Sequence, residues 1–126
     1  MIDILLVDDH PVMRQLLRDL LESYADLTIV GEAGNGEDAV SEATKLQPSV
    51  VIIDIKLPTM TGIQATGLIK LRSPFTAIIG LTAGVQGHTE KAMIAAGAAA
   101  VINKAEVFEA LYPSILEAVR QLKSPV

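Results

Sequence analysis

Along the chain, short apolar runs rich in β-branched residues alternate with longer stretches in which apolar positions recur every three or four residues. Five runs have the length and composition of strands: Ile2–Val7, Leu27–Ala33, Val50–Ile53, Ala77–Leu81 and Ala98–Asn103. Four of them are predominantly apolar rather than alternating, the pattern of a parallel sheet covered on both faces. The run "LTIVGEA" is more mixed and is the one expected at a sheet edge.

The stretches between them predict helices. Pro11–Tyr24 opens with Pro near the first helical position and places Val12, Leu16, Leu17, Leu20 and Leu21 on one face. Gly36–Leu46 groups Ala39, Val40, Ala43 and Leu46, with Asn35 as its N-cap and Pro48 as its stop. Thr61–Leu71 is a weaker helix because it contains Gly62 and Gly67, and the Ala-rich stretch His88–Ala96 is closed by Gly97. The last helix spans Val107–Leu122, and Pro113 inside it predicts a kink or a late start. Five βα units in a row imply one α/β domain over residues 1–126, with right-handed crossovers and helices on both faces of a parallel sheet.

Composition sharpens this picture in a few places. A chain of 126 residues, half of them apolar, can bury a real core. There is no Cys, which excludes disulfides and thiolate metal sites and suits a cytoplasmic protein. The net charge of −5 argues against direct binding to nucleic acid. No apolar run is long enough to cross a membrane, and the start "MIDILLVDDH" lacks the basic lead-in of a signal peptide, so a mature soluble protein is expected.

The candidate chemistry lies where the strands end. In open parallel sheets, sites form outside the carboxyl ends of the strands. Asp8 and Asp9 follow the first strand, Asp54 the third, Thr82 the fourth and Lys104 the fifth. Taken singly, each has an ordinary explanation: a turn or helix cap for the aspartates, a helix-entry hydroxyl for Thr82, a solvated charge for Lys104. Taken together they put three carboxylates, a hydroxyl and an ammonium at one edge. Crowded carboxylates repel, and a hard divalent cation relieves the repulsion; oxygen-only donors point to Mg²⁺ or Mn²⁺. Mg²⁺ held by one or two carboxylates keeps positions for water and a phosphate, and an Asp can itself accept a phosphoryl group. That chemistry explains why Asp54 closes the stiff run Val50–Ile53.

With those residues in view, the stretches "LLVDDHPVMR", "VVIIDIKLPTMTG", "IIGLTAG" and "VINK" resemble the receiver domain of two-component response regulators over essentially the whole chain. The first is similar to the receivers attached to helix-turn-helix output domains of the LuxR/NarL type. The resemblance implies a flavodoxin-like (βα)5 three-layer sandwich with sheet order 2-1-3-4-5. It implies Asp54 as the phosphorylated residue, and Mg²⁺ held by the Asp9 and Asp54 carboxylates and the Lys56 backbone carbonyl, with Asp8 acting mainly through water. It implies Thr82 as the switch hydroxyl, Lys104 as its charged partner, Pro58 and Gly62 as part of the loop after the acceptor, and Ala83 as the small residue that leaves the phosphate accessible. The implied partners are a sensor histidine kinase and a phosphorylation-dependent second copy. DNA would be reached only through a C-terminal output domain, with no membrane involved. Such a protein supports its own phosphotransfer and slow dephosphorylation rather than acting as an enzyme on a separate substrate.

Three positions depart from the family pattern. Val101 stands where an aromatic switch residue is common, Ala105 where Pro often follows the lysine, and Lys56 adds a cation expected to alter the lifetime of an aspartyl phosphate. Two other families are disfavoured by residues. Phosphatases of the haloacid-dehalogenase type need D-x-D after the first strand, and flavodoxin-like binding modules need a Ser/Thr/Gly-rich loop there; this chain has "DDHPVM". A degenerate receiver acting only through protein contacts, or a stand-alone one, is the remaining alternative.

Overall fold

The computed structural model describes residues 1–84 and 87–123, with only the backbone of residue 123. Five strands and five helices alternate: β1 (Ile2–Val7), α1 (Pro11–Glu22), β2 (Leu27–Ala33), α2 (Gly36–Leu46), β3 (Val50–Asp54), α3 (Gly62–Arg72), β4 (Ala77–Thr82), α4 (Gly87–Ala96), β5 (Ala100–Asn103) and α5 (Val107–Lys123). The sheet is parallel, in the order β2-β1-β3-β4-β5. This is the expected flavodoxin-like (βα)5 sandwich, with "LTIVGEA" at an edge.

The two-residue period of the strands divides the core into two layers. Ile4, Leu6, Val50, Ile52, Ile79 and Leu81 face one way, toward Leu17 and Leu21 of α1 and Leu111 and Ile115 of α5. Leu5, Val7, Val51, Ile53 and Ile78 face the other, toward Ala39 and Val40 of α2, Ala65 and Ile69 of α3 and Met93 of α4. Burying both faces is why the central strands carry almost no polar residue before their last position.

Register brings the strand ends level. Val7 pairs with Ile53, Asp54 with Leu81, and Thr82 with Asn103. Asp8, Asp54, Thr82 and Lys104 therefore leave the sheet at one edge.

Several boundaries differ from expectation for local reasons. β3 and β4 each extend one residue further, onto Asp54 and Thr82, because their backbones still pair. β5 starts at Ala100 rather than Ala98; the Ala98 N–H instead bonds the Met93 carbonyl and the Ala99 N–H that of Ile78. α1 stops at Glu22, where the Ser23 N–H turns back to the Leu20 carbonyl. Thr61 is the cap of α3 rather than its first turn: its hydroxyl accepts from the Gln64 N–H while the Gln64 side chain accepts from the Thr61 N–H. That capping box starts a helix that its two glycines would weaken. α2 ends on Gln47, in the left-handed region at φ 46°, just before Pro48. α4 ends on Gly97 at φ 120°, a backbone that L side chains rarely adopt. α5 begins at Val107 and runs through Pro113, so no late start occurs; a 3₁₀ turn over Lys104–Glu106 leads into it. No peptide bond among the described residues is cis, Lys104–Ala105 included.

Candidate functional site

Asp54 closes β3 and is 3% exposed. A buried carboxylate needs partners, and both oxygens have one. Oδ1 accepts the Lys56 N–H at 3.0 Å, and Oδ2 lies 2.9 Å from the Lys104 Nζ. The loop after Asp54 is held from below by Gly62, whose N–H bonds the Ile55 carbonyl at 2.8 Å. A Cβ on Gly62 would sit 2.6 Å from the Asp54 carbonyl oxygen and 2.7 Å from the Ile55 Cα, so only glycine allows this approach. Thr59, two residues earlier than Thr61 and next to Pro58, holds φ 64°, and its hydroxyl donates to the Glu37 carboxylate.

Asp8 is the first residue after β1 and is fully buried. Its N–H continues the ladder to the Ala33 carbonyl. Its Oδ1 accepts the His10 N–H at 2.9 Å and lies 3.0 Å from His10 Nδ1. Its Oδ2 is 3.3 Å from the Lys104 ammonium yet makes no hydrogen bond. The two facts describe one contact: the charges are close, but the angle is poor. What remains is a buried carboxylate oxygen that is ion-paired but not hydrogen-bonded. Asp9 is more open, and its Oδ1 also lies 3.0 Å from His10 Nδ1. The donor atoms of Asp8, Asp9, His10 and Asp54 all lie within 4.8 Å of one another.

Lys104 is the first residue after β5, in a turn capped by the Asn103 side chain, which accepts from the Ala105 N–H. Burial by itself would lower the pKa of its ammonium. The hydrogen bond and charge of Asp54, with the charge of Asp8, outweigh burial and raise it above the usual lysine value. Lys104 is thus held cationic between two carboxylates and is no solvated surface charge. Thr82 is the last residue of β4, not a helix-entry hydroxyl. A cavity of about 160 Å³ opens here, lined by His10, Asp54, Lys56, Thr82, Ala83 and Lys104 among others.

All the residues expected to meet at the sheet edge do so: Asp8, Asp9, Asp54, Thr82 and Lys104, with Lys56 and Ala83 on the cavity wall. Val101 is half-buried and packs against the core layer shared with α4. Part of the loop after Thr82, residues 85 and 86, lies outside the described residues. Two contributors escaped the sequence. His10 occupies the N-cap position of α1, but its imidazole caps nothing and turns back onto Asp8 and Asp9. Arg14, one turn into α1, donates from Nη1 to the Asp8 backbone carbonyl and from Nε to Glu32. The only sequence signal was the spacing "DDHPVMR", which puts His10 directly after the acidic pair and Arg14 about one turn further on. Neither aspartate caps α1.

Chemically, two carboxylates, Asp8 and Asp54, contact one ammonium, and a third, Asp9, lies beside them. Converging oxygens, one of them buried without a hydrogen bond, fit a hard divalent cation. The open side, with a hydroxyl and an ammonium, fits the oxygens of a phosphoryl group.

Comparison with known proteins gives the family. A family model described as the response regulator receiver domain matches residues 4–116. The chain is 38% identical over 109 residues to protein-glutamate methylesterase/protein-glutamine glutaminase 1 of Syntrophus aciditrophicus, covering 85% of this chain and 31% of that protein. It is 37% identical over 117 residues to the transcriptional regulatory protein YdfI of Bacillus subtilis, covering 93% of this chain and 54% of that one. The chain therefore spans about a third and about half of these two relatives. The solved response regulator domain of Thermotoga maritima CheB superposes with a TM-score of 0.85 at 31% identity, over 100% of this chain and 99% of that one. A sheet in the order 2-1-3-4-5 with an acidic carboxyl edge, matched over nearly its whole length by the family model, belongs to a response regulator receiver domain, a member of the two-component signalling family.

Proposed function

We propose that this receiver domain accepts a phosphoryl group on Asp54. The observation that carries the proposal is the ion pair of buried Asp54 with Lys104 at 2.9 Å, beside an acidic pair and an open cavity. A carboxylate oxygen of Asp54 attacks phosphorus. An O–P bond forms, the bond from phosphorus to the donor breaks, and its electron pair leaves with the donor: acetate from acetyl phosphate, or the imidazole of a phosphohistidine, which takes up a proton from water. Lys104 then transfers its contact to a phosphoryl oxygen, and the Thr82 hydroxyl donates to another. Lys56, on the cavity wall, alters the lifetime of the product.

The donor set fits Mg²⁺, with Mn²⁺ as a substitute. Asp9, Asp54 and the Lys56 backbone carbonyl would hold it, and Asp8 would act through water. The chemistry that such an ion supplies when bound is neutralisation of charge between carboxylates and phosphoryl oxygens. By analogy with a phosphate monoester, the new group carries roughly −1.5 to −2 charges. The Thr82 loop, α4 and β5 follow it inward, with Val101 repacking in place of an aromatic ring, and the surface of α4, β5 and α5 changes for a partner to read.

The partner upstream is a sensor histidine kinase in the cytoplasm, and a second copy of the domain is the proposed reader of the switched surface. Residues 1–126 act as one domain of a longer regulator. We assign it a LuxR/NarL-type output, in which a C-terminal domain binds DNA. The stretch "DDHPVMR" and the transcriptional relative support that assignment. A methylesterase output is the second reading, favoured by the relative from Syntrophus.

The test is intact mass after incubation with acetyl phosphate, with and without Mg²⁺, on wild type and Asp54→Ala. One added phosphoryl group that needs both Mg²⁺ and Asp54 is expected. No adduct on wild type with Mg²⁺ would overturn the proposal in favour of a receiver working only through protein contacts.

A further inference from the structure

The acceptor chemistry leaves His10 without a task, although its ring faces the acidic cluster. His10 sits at the N-cap of α1, where Ser, Thr, Asp or Asn would bond the first free N–H groups. Its side chain makes no such bond. Although two-thirds exposed, the ring is turned so that Nδ1 lies 3.0 Å from Asp8 Oδ1 and 3.0 Å from Asp9 Oδ1. The ordinary explanation is a hydrogen bond donated by Nδ1–H to two carboxylates.

The same three atoms suit another occupant. Two donors at right angles, each about 2.1 Å from an octahedral ion, stand about 3.0 Å apart. Nδ1 keeps that spacing from one oxygen of each aspartate, and Asp54 offers a further oxygen within 4.8 Å. Within the cluster, Asp8 Oδ2 is fully buried and makes no hydrogen bond, with the Lys104 ammonium 3.3 Å away. Imidazole discriminates between ions. Mg²⁺ is hard and takes oxygen, whereas first-row transition dications gain strongly from a ring nitrogen, in the order Mn²⁺ below Ni²⁺ and Cu²⁺.

We propose that His10 is a metal-selectivity residue, which through Nδ1 turns the acidic cluster into a mixed nitrogen–oxygen site for an octahedral first-row transition dication. The inference rests on the cation site of the proposed function, adds the ring nitrogen to it and brings Asp8 from contact through water to direct contact. Ligation moves the ring proton from Nδ1 to Nε2, with no change in the net charge of the side chain. The hydrogen bonds to Asp8 and Asp9 are replaced by the ion they share. A transition ion held there occupies the place of Mg²⁺ with one more anchor, so the domain reads the relative supply of the two kinds of ion.

The experiment is calorimetric titration of the whole chain with Ni²⁺ and, separately, with Mg²⁺, on wild type, His10→Asn, His88→Asn and Asp9→Asn. His10 is exposed enough for Asn to leave the fold intact, and circular dichroism checks that. Ni²⁺ is expected to bind wild type and His88→Asn alike, and His10→Asn at least tenfold more weakly; Mg²⁺ affinity should change less than twofold between wild type and His10→Asn. Equal Ni²⁺ affinity in wild type and His10→Asn overturns the inference. So does a loss confined to His88→Asn, which would place the ion on the other histidine, or an equal loss of Mg²⁺ and Ni²⁺ in His10→Asn, which would make the ring a prop for the carboxylates. Failure of the underlying cation site looks different: Mg²⁺ then binds no variant, or binds wild type and Asp9→Asn equally.

Discussion

The two edges of one sheet treat polar groups in opposite ways. At the amino edge the buried hydroxyls are bonded to neighbours. The Thr76 hydroxyl bonds the Pro48 carbonyl at 2.6 Å and meets the Ser73 hydroxyl at 2.6 Å, Ser73 bonds Gln47, and the Lys70 ammonium donates to the Pro74 and Thr76 carbonyls. These bonds tie the ends of α2 and α3 to the starts of β3 and β4. At the carboxyl edge two carboxylates, Asp8 and Asp54, share one ammonium with Asp9 beside them, and a fully buried oxygen of Asp8 is ion-paired but makes no hydrogen bond. One edge is closed, with its hydroxyls and the Lys70 ammonium bonded to neighbours. The other is left short of positive charge, which is what a site for a cation and a phosphoryl group requires. The same strands supply both, so the difference comes from the loop residues, not from the core.

The comparison breaks first where packing alone holds the carboxyl edge. Gly62→Ala would press a methyl group onto the Asp54 carbonyl oxygen and the Ile55 Cα. Backbone cannot move aside as a side-chain tip can, so a loss of about 1–3 kcal/mol is expected, the usual cost of overpacking. Urea unfolding checks the stability, and intact mass after acetyl phosphate should show slower modification of Asp54. Unchanged stability would mean that the loop is looser than its contacts indicate.

Thr76→Val tests the closed edge. It leaves the Pro48 carbonyl and one bond of the Ser73 hydroxyl unmade in a buried place. The expected loss is about 1–3 kcal/mol, with phosphorylation and Mg²⁺ affinity as in wild type. A drop in either would show that the two edges are coupled through β4.

Asp8→Asn should act with the opposite sign. It removes one of the crowded charges while the amide oxygen still accepts the His10 N–H. Repulsion from neighbouring carboxylates amounts to about 1–4 kcal/mol per pair at partly screened distances, offset in part by the lost attraction to Lys104. A net gain of about 1 kcal/mol in urea unfolding is expected, together with weaker Mg²⁺ binding and slower modification. A less stable Asp8→Asn would mean that the ion pair with Lys104 outweighs the repulsion, and that the open edge is less strained than its charges suggest.

The contrast between the edges was half legible in the sequence. The open edge was visible because its residues are chemically unusual where they stand: Asp54 after four β-branched residues, "DD" after β1, Thr82 and Lys104 at strand ends. Knowing that parallel strands end together placed them in one site. The closed edge was not visible. Ser73, Thr76 and Gln47 are ordinary loop residues, and their bonds span up to 28 positions, beyond any local pattern. His10 and Arg14 were missed for a related reason: an N-cap position and a helix turn gave no sign of the direction their side chains take. The misplaced ends of β3, β4 and β5 have another cause. Backbone pairing sets where a strand ends, and a polar side chain such as Asp54 or Thr82 does not stop it.

The smallest effect belongs to the charges that border the open edge without entering it. Glu32, next to last in β2, takes Arg18 at 2.6 Å and Arg14 at 3.0 Å, and Arg14 also reaches the Asp8 carbonyl. The hydrogen bond from Arg18 lowers the pKa of Glu32 from its ordinary 4.5, with burial opposing and Arg14 assisting. A carboxyl group lowered in the folded state stabilises the fold fully above its unfolded value and ceases to do so as the pH falls through its folded value. Glu32→Gln should therefore cost about 0.2–1 kcal/mol at neutral pH, the range for solvent-screened ion pairs. That difference from wild type should hold down to about pH 5 and shrink toward zero as the pH drops below 4.5. Urea unfolding at a series of pH values measures it. A difference that persists in acid would show that Glu32 acts through its shape rather than its charge. A difference that vanishes would confirm balanced charge on α1 and β2 beside an unbalanced cluster only one residue further along the chain from β1.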